Sequence, residues 1–492
     1  VPVMRWAHAP SGRRTGASGR VGVLSWARRH GWFVALFAVA AALRATAMLG
    51  YRPALWFPDS YTYIVTVMRP RPDLVRPAGY SMFVKLLEPF HSFAVVAATQ
   101  HLLGLGVGAL VYWIAARSAP RWIAVLAAAP VLLDAYQIQL EHLLVSDVLF
   151  MALVVAATVL AMRAEPPAVA IGLLLAAASL TRTVGLPLVA LVAAWLLLRR
   201  HRRKALAMLA AAVLPVVAYG AWFYATYHRV GIIGADGAFL YARTMAFADC
   251  ARMRPPADLA VLCDARPPGR RPPSQDYVWS ADSPLVKLPG ITFTAANDGL
   301  ARRFALLAIR SQPLDYAGAT LSELARTFTW DRPVYPDAEV YAAYEFPDRA
   351  PPPPVRYPAQ VGADFARQYE RGDITTAVAE PYAGWLRAYQ DLARLPGTLL
   401  LAVLLVPPAL TVLTAVRRRY GRRAGAPATG GAWLLPWAVA WALLVIPPAV
   451  AQFDYRYVLP AVPLACLAAA LSSQPASMLK DVHVFIPGDV RV

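Results

Sequence analysis

The sequence predicts an α-helical polytopic membrane protein of about ten transmembrane helices, with a large extracytoplasmic domain between the seventh and eighth. Three observations carry this. Of 492 residues, 58% are hydrophobic and only 16% charged, a balance that excludes an ordinary soluble globule. The apolar residues are gathered into runs near the length that spans a bilayer. The basic residues, which give a formal charge of +19, sit in short clusters between apolar runs, as the positive-inside bias requires. So located, they are topology signals, and nucleic-acid binding is set aside.

Residues 1–31 read as a disordered basic cytoplasmic tail, with Arg5, Arg13, Arg14, Arg20, Arg28 and Arg29 among Gly and Ser, and with Val1 as a translated alternative start codon. The run at 32–49 is long enough to span and shows no small-residue cleavage site, so it is expected to remain as an anchor. The first outer loop, 50–92, is too polar to span. It holds Trp56-Phe57-Pro58-Asp59-Ser60-Tyr61-Thr62-Tyr63, then Arg69-Pro70-Arg71-Pro72 and Arg76-Pro77-Ala78-Gly79-Tyr80. Runs near 93–116, 122–139, 148–162, 167–180, 184–198 and 205–224 complete an N-terminal transmembrane catalytic module, 32–227.

Residues 228–396 carry scattered charge, the proline run 351–354 and no spanning segment, and are expected to form the extracytoplasmic domain. Within them, 300–330 has helical periodicity broken at Gln312-Pro313. Runs at 398–416, 432–450 and 457–471 make up C-terminal transmembrane helices, 397–472, followed by a cytoplasmic tail, 473–492.

Orientation follows from charge. With the N-terminus inside, Arg117 and Arg121, Arg163, the cluster 199–204, and Arg417, Arg418, Arg419, Arg422 and Arg423 all face the cytoplasm. The expected protein is a multi-pass plasma-membrane protein with both termini cytoplasmic. The turns near Asp59, Glu141, Arg182 and Asp454 then share the outer face with the large domain. No internal repeat suggests the inverted halves of a transporter. Cys250 and Cys263 lie in a polar, Pro-rich segment where a disulfide and two free thiols both remain open, while Cys466 sits in an apolar run.

An acid between aromatics at the mouth of a membrane helix is costly to hold, which singles out Asp59; its plainer role is to cap the helix begun at Pro58. Glu141, His142 and Asp147 gather ionisable groups at a hairpin turn that needs none. A substrate or metal role for them stands beside a plainer one, with Ser146 as a cap and Asp147 favoured by the helix dipole. Arg182 is the one basic residue at a short outer turn, and it either snorkels to headgroups or binds an anion. Arg456, between Tyr455 and Tyr457, reads as an interfacial anchor with Asp454 as its ion-pair partner, or as a phosphate contact. Together these acids and arginines are what group transfer from a lipid phosphate needs: cations for the phosphate and a base for the acceptor. The cofactor is left unspecified. A divalent cation is compatible with the acids, and no metal ligand set is assigned.

The chain resembles the C-type integral-membrane glycosyltransferases that use polyprenyl-phosphate sugars, the group that includes protein O-mannosyltransferases and the aminoarabinose transferase of lipid A. The likeness rests on Asp59 in the first outer loop, Arg76-Pro77-Ala78-Gly79-Tyr80, Ser146-Asp147-Val148-Leu149-Phe150, Leu180-Thr181-Arg182 and Tyr455-Arg456-Tyr457-Val458-Leu459-Pro460. The resemblance implies that Asp59 is the catalytic base and Asp147 a second active-site acid. It also implies that Arg182 and Arg456 contact the donor phosphate and that Arg76 and Tyr80 shape the first loop. Glu141 and His142 join them in the expected substrate-binding set. Several members carry an Asp-Glu pair in the first loop, whereas Asp59 is followed here by Ser60.

The expected partners are therefore a polyprenyl-phosphate-linked sugar donor, an extracytoplasmic acceptor and the lipid bilayer. Two other readings compete. A transporter or flippase for a lipid-linked or anionic substrate predicts mid-span charge, for which Arg44 and Asp134 are the main candidates. A surface assembly protein predicts an outer domain that binds partners by itself.

Overall fold

The computed structural model describes residues 29–355, 357–420 and 431–473. The expected cytoplasmic tails, apart from the last residues of the first and Ser473 of the second, lie outside the described residues, as do Arg422 and Arg423. Helices make up 71% of the described chain, and its strands form one two-stranded sheet.

Helix α1 (Gly31–Gly50) is 20 residues long, about 30 Å, and leads into strand β1 (Tyr51–Arg52). Two short helices, α2 (Pro58–Met68) and α3 (Gly79–Leu87), fill the 50–92 loop expected to lie outside. Helix α4 (Phe93–Ser118) follows, then a pair bent by 47°, α5 (Arg121–Leu133) and α6 (Ala135–His142). Next come α7 (Asp147–Ala161), α8 (Ala168–Thr181), α9 (Gly185–Leu198) and α10 (Arg202–Tyr227). Beyond them lie α11 (Asp236–Thr244), α12 (Ala295–Ser311), α13 (Pro313–Ala325), α14 (Tyr357–Glu370), strand β2 (Ala377–Val378) and α15 (Tyr382–Leu392); one-turn helices and loops fill 245–294 and 326–355. The last three long helices are α16 (Gly397–Tyr420), α17 (Leu434–Val450) and α18 (Val462–Ser472).

Each expected apolar run falls on one of these helices or on the bent pair, and length separates them. Among the described residues six helical segments are long and apolar enough to cross a membrane, or seven with the bent pair. Helices α7, α8 and α9 are as apolar but have only 15, 14 and 14 residues. At 1.5 Å per residue they reach about 21–23 Å, short of a hydrocarbon core of about 30 Å. The chain is thus an α-helical protein with several helices fit to cross a membrane.

The bend between α5 and α6 has a chemical cause. Asp134 leaves the helix and its Oδ1 accepts hydrogen bonds from the Tyr136 and Gln137 backbone N–H groups, at 2.9 and 3.1 Å, capping α6. Its second oxygen accepts the Leu395 N–H at 2.8 Å. The mid-span acid is therefore a hinge cap that ties down the entry to α16. The break in 300–330 is similarly local: α12 ends at Ser311 and Pro313 begins α13, where a missing N–H does no harm.

Two cores underlie residues 228–396, the region expected to be extracytoplasmic. Helices α11 and α12 pack on one another around Tyr241, Tyr277 and Phe304, and a Cys250–Cys263 disulfide closes a loop beside them. The segment 357–378 instead joins the first outer loop. Strands β1 and β2 pair antiparallel, Tyr51 opposite Val378 and Arg52 opposite Ala377. Helix α14 lies on α2, close enough that a Cβ on Gly362 would strike the Tyr61 backbone, and Trp56 donates to the Ile374 carbonyl at 3.1 Å. Asp59 is thus carried on a helix clamped from behind by the segment 357–378.

Candidate functional site

Helix α2 begins at Pro58, whose missing N–H suits the first turn. Ser60, not Asp59, makes the capping bond: its Oγ accepts the Phe57 N–H at 3.0 Å. The Asp59 carboxylate is left free to face outward from the first turn.

It meets two arginines. Oδ1 accepts from Arg76, and Oδ2 from Arg456 at 3.1 Å. Arg456 reaches on to Asp454 through Nε at 3.4 Å and stands 4.0 Å from Asp147. Asp147 in turn is paired with Arg182. Three arginines and three aspartates, drawn from the loop after α1, the start of α7, the end of α8 and the entry to α18, therefore alternate around one focus.

The packing explains why these distant segments meet. Gly79 sits where a Cβ would overlap the Leu180 carbonyl, so α3 presses against the end of α8, next to the turn that carries Arg182. Tyr80 is wholly buried behind α2, its hydroxyl donating to Gln100 at 2.8 Å and its ring 4.8 Å from that of Tyr63. Tyr63 donates to Ser146 Oγ at 3.1 Å, which ties α2 to the start of α7 beside Asp147. Tyr80 thus shapes the loop from within and has no face on the focus.

Aromatic faces complete the surround. Arg456 lies over the Phe57 ring, 4.6 Å from its centre, and Arg182 over Tyr457 at 4.4 Å. The Tyr344 hydroxyl donates to Asp454 at 3.0 Å. An apolar cavity of about 10 Å³, lined by Leu443, Leu444, Pro447, Phe453 and Val458, abuts Asp454 and Tyr457.

The electrostatics follow from the pairing. Burial pushes the Asp59 carboxyl up, but Arg76 and Arg456 outweigh it and hold the group at about 2, well below its ordinary 3.8. Asp454 goes the other way: burial raises it, and Arg456, the Tyr344 hydrogen bond and the more distant Arg182 do not fully offset that. The Asp59 side chain keeps 13% of its surface exposed, Arg182 15% and Arg76 19%, so this end of the array opens to an incoming molecule. Two inner atoms, Asp147 Oδ2 and Arg456 Nε, have no hydrogen-bond partner among the described residues. Within the same residues no group of three or more His, Cys, Asp or Glu is arranged to hold a metal ion.

Of the expected site residues, Asp59, Asp147, Arg76, Arg182 and Arg456 come together. Glu141 and His142 do not. Both are fully buried inside the helix bundle, where Glu141 faces Arg44 and His101 rather than the arginines of the outer array. Asp454 belongs to the array as much as Asp147 does; its place two residues before Arg456 was the available signal. Tyr344, set in the outer region, had none.

Compared with protein-family models, curated proteins and solved structures, the chain matches none.

Proposed function

We propose that this protein transfers a sugar from a polyprenyl-phosphate donor to an extracytoplasmic acceptor (a protein, a lipid or a cell-wall glycan) with inversion at the anomeric carbon. The observation that carries the reading is Asp59, ionised and partly open, between Arg76 and Arg456, with Arg182 alongside. In the transfer, Asp59 takes the acceptor proton as the acceptor oxygen attacks the anomeric carbon. The bond from that carbon to the phosphate oxygen breaks, and the phosphate leaves with its charge held by the guanidinium groups.

The topology belongs to the same proposal. Ten spans, with α7, α8 and α9 as short ones in a locally thinned bilayer, put both termini in the cytoplasm and the 228–396 region outside the plasma membrane. The Cys250–Cys263 disulfide supports that side for the region, since such bonds persist outside the reducing cytosol.

A transporter or flippase for an anionic lipid is the second reading, favoured by the buried Arg44–Glu141 pair within the bundle, 2.7 Å apart. One experiment separates the two. Purified protein in lipid nanodiscs is given labelled polyprenyl-phosphate hexoses and pentoses together with membrane acceptors. Transfer that Asp59→Asn abolishes supports the enzyme. Lipid movement across the bilayer with no sugar release, in wild type and Asp59→Asn alike, sinks it.

A further inference from the structure

A second charged cluster lies inside the bundle, away from the outer array, and its hydrogen bonds can be counted. Arg44 on α1 grips both oxygens of Glu141, through Nε at 2.7 Å and NH2 at 2.8 Å. Glu141 Oε2 also lies 2.9 Å from His101 Nδ1 on α4. His101 Nε2 is 3.0 Å from His142 Nδ1, and His142 Nε2 is 2.6 Å from the Tyr51 carbonyl. All of these side chains are buried. The site is built to fit: a Cβ on Gly104 would fall on the Glu141 carboxylate, and Gln100 fastens the end of α6 by donating to the Glu141 and Leu143 carbonyls at 2.9 and 2.7 Å.

Three hydrogen bonds run in series from the Glu141 carboxylate through both rings to the Tyr51 carbonyl, and each needs one proton. A carbonyl oxygen cannot donate, so His142 Nε2 carries the last of them. The middle proton sits on His101 Nε2 or His142 Nδ1, and the first on His101 Nδ1 or on Glu141 itself. Two neutral imidazoles beside an ionised glutamate supply only two. We infer that Glu141, His101 and His142 hold one extra proton in common, and that this proton fixes the segment that leads to Asp59.

Arg44 cancels the Glu141 charge, so the extra proton leaves the cluster at a net charge of one positive unit wherever along the chain it sits. None of the other groups near the cluster sets a second acid against the two rings. Gln137 donates to Glu141 Oε1 at 3.1 Å, and Asp134 is occupied with the α6 cap. Tyr389 of α15 donates to the Leu133 carbonyl, and the Tyr51 ring lies edge-on to His142 at 6.4 Å, with Arg387 and Glu380 paired near its hydroxyl.

The mechanical link is short. His142 grips the Tyr51 carbonyl with its ring, and the Leu55 N–H donates to the His142 carbonyl at 3.0 Å. The Leu144 N–H donates to the Leu55 carbonyl at 3.1 Å. Residues 51–55 are thereby stitched to the end of α6, four residues before Asp59. Glu141, His101 and His142 are positioning residues, and the inference stands whether or not the outer array transfers a sugar.

The test uses the full chain in lipid nanodiscs with isotope-labelled histidine and glutamate, titrated across the neutral range and read by imidazole and carboxyl resonances. His101→Asn and His142→Asn assign the rings. The expected count over the four ring nitrogens and the Glu141 carboxyl is three protons, falling to two in a single step as pH rises. Over that step, amide protection of residues 51–55, corrected for intrinsic exchange, is lost. In Glu141→Gln the amide can donate to His101 Nδ1, so two imidazole protons suffice and protection no longer changes with pH. A wild-type count of two throughout overturns the shared proton. Three protons with protection unchanged across the step overturns the positioning role.

Discussion

Replacing Asp59 by Asn removes the charge and keeps the shape, and the structure sets the size of both effects. The carboxyl sits at about 2 in the folded protein against an ordinary 3.8. At roughly 1.4 kcal/mol per pH unit, the ionised form is favoured over the neutral one by about 2–3 kcal/mol, with Arg76 and Arg456 the source. The group's folded value is depressed, so this stability is fully present above about pH 4 and is lost as pH falls toward about 2. Asp59→Asn should therefore be less stable by about 2 kcal/mol in denaturant titrations at neutral pH, by a margin that stays constant down to about pH 4. Transfer from a polyprenyl-phosphate sugar should fall by roughly 10²–10⁴-fold, the usual contribution of a positioned base. Equal stability for the two proteins refutes the arginine clamp. Lost stability with full transfer leaves Asp59 a structural ion-pair member and refutes the catalytic role.

Arg456→Lys loses the planar fork that meets Asp59 and Asp454 together, and binding of undecaprenyl phosphate, measured by native mass spectrometry in micelles, should weaken by roughly tenfold or more. Gly79→Ala puts a methyl group on the Leu180 carbonyl and should cost about 1–3 kcal/mol in the same denaturant titrations, while also lowering donor affinity although no arginine has changed. Gly104→Ala forces the Glu141 carboxylate off Arg44 and should destabilise the bundle by at least as much, with amide protection of residues 51–55 reduced. Cys250→Ser opens a loop with a sequence separation of 13 and should cost about 3 kcal/mol by the chain-entropy argument, read as earlier protease cleavage within 236–311.

The outer array was legible because topology and chemistry pointed the same way. Asp59, Asp147, Arg182 and Arg456 stand in separate turns, and charge bias assigned all of those turns to one face. Glu141 was misread by the same logic. It stands at a turn, yet it points back into the bundle because Arg44 waits 97 positions earlier on α1, and nothing local announces a partner so distant. Asp134 looked like a charge in mid-span. It proved to be a hinge cap, since a proline at 130 and the arriving Leu395 N–H let the helix break there. The outer region gave least, because its division between the α11–α12 core and the first-loop partner α14 depends on contacts such as Gly362 on Tyr61, which no periodicity encodes.

The alternation of three arginines with three aspartates also bears on how a base held near 2 can work. A carboxylate that acidic is a poor proton acceptor while both guanidiniums hold it. An arriving phosphate competes for the same donors, and a phosphate that draws Arg76 and Arg456 away leaves Asp59 with burial, which pushes it upward. The donor would then create the base it needs, and a site without donor would not deprotonate water or acceptor. The consequence is measurable because kcat/KM reports the free enzyme and kcat the loaded one. The acid limb of kcat/KM assigned to Asp59 should lie near pH 2, and that of kcat should move to about 4 or above, toward or past the value of an unpaired aspartate. Coincident limbs in the two profiles would show that the phosphate leaves the clamp intact.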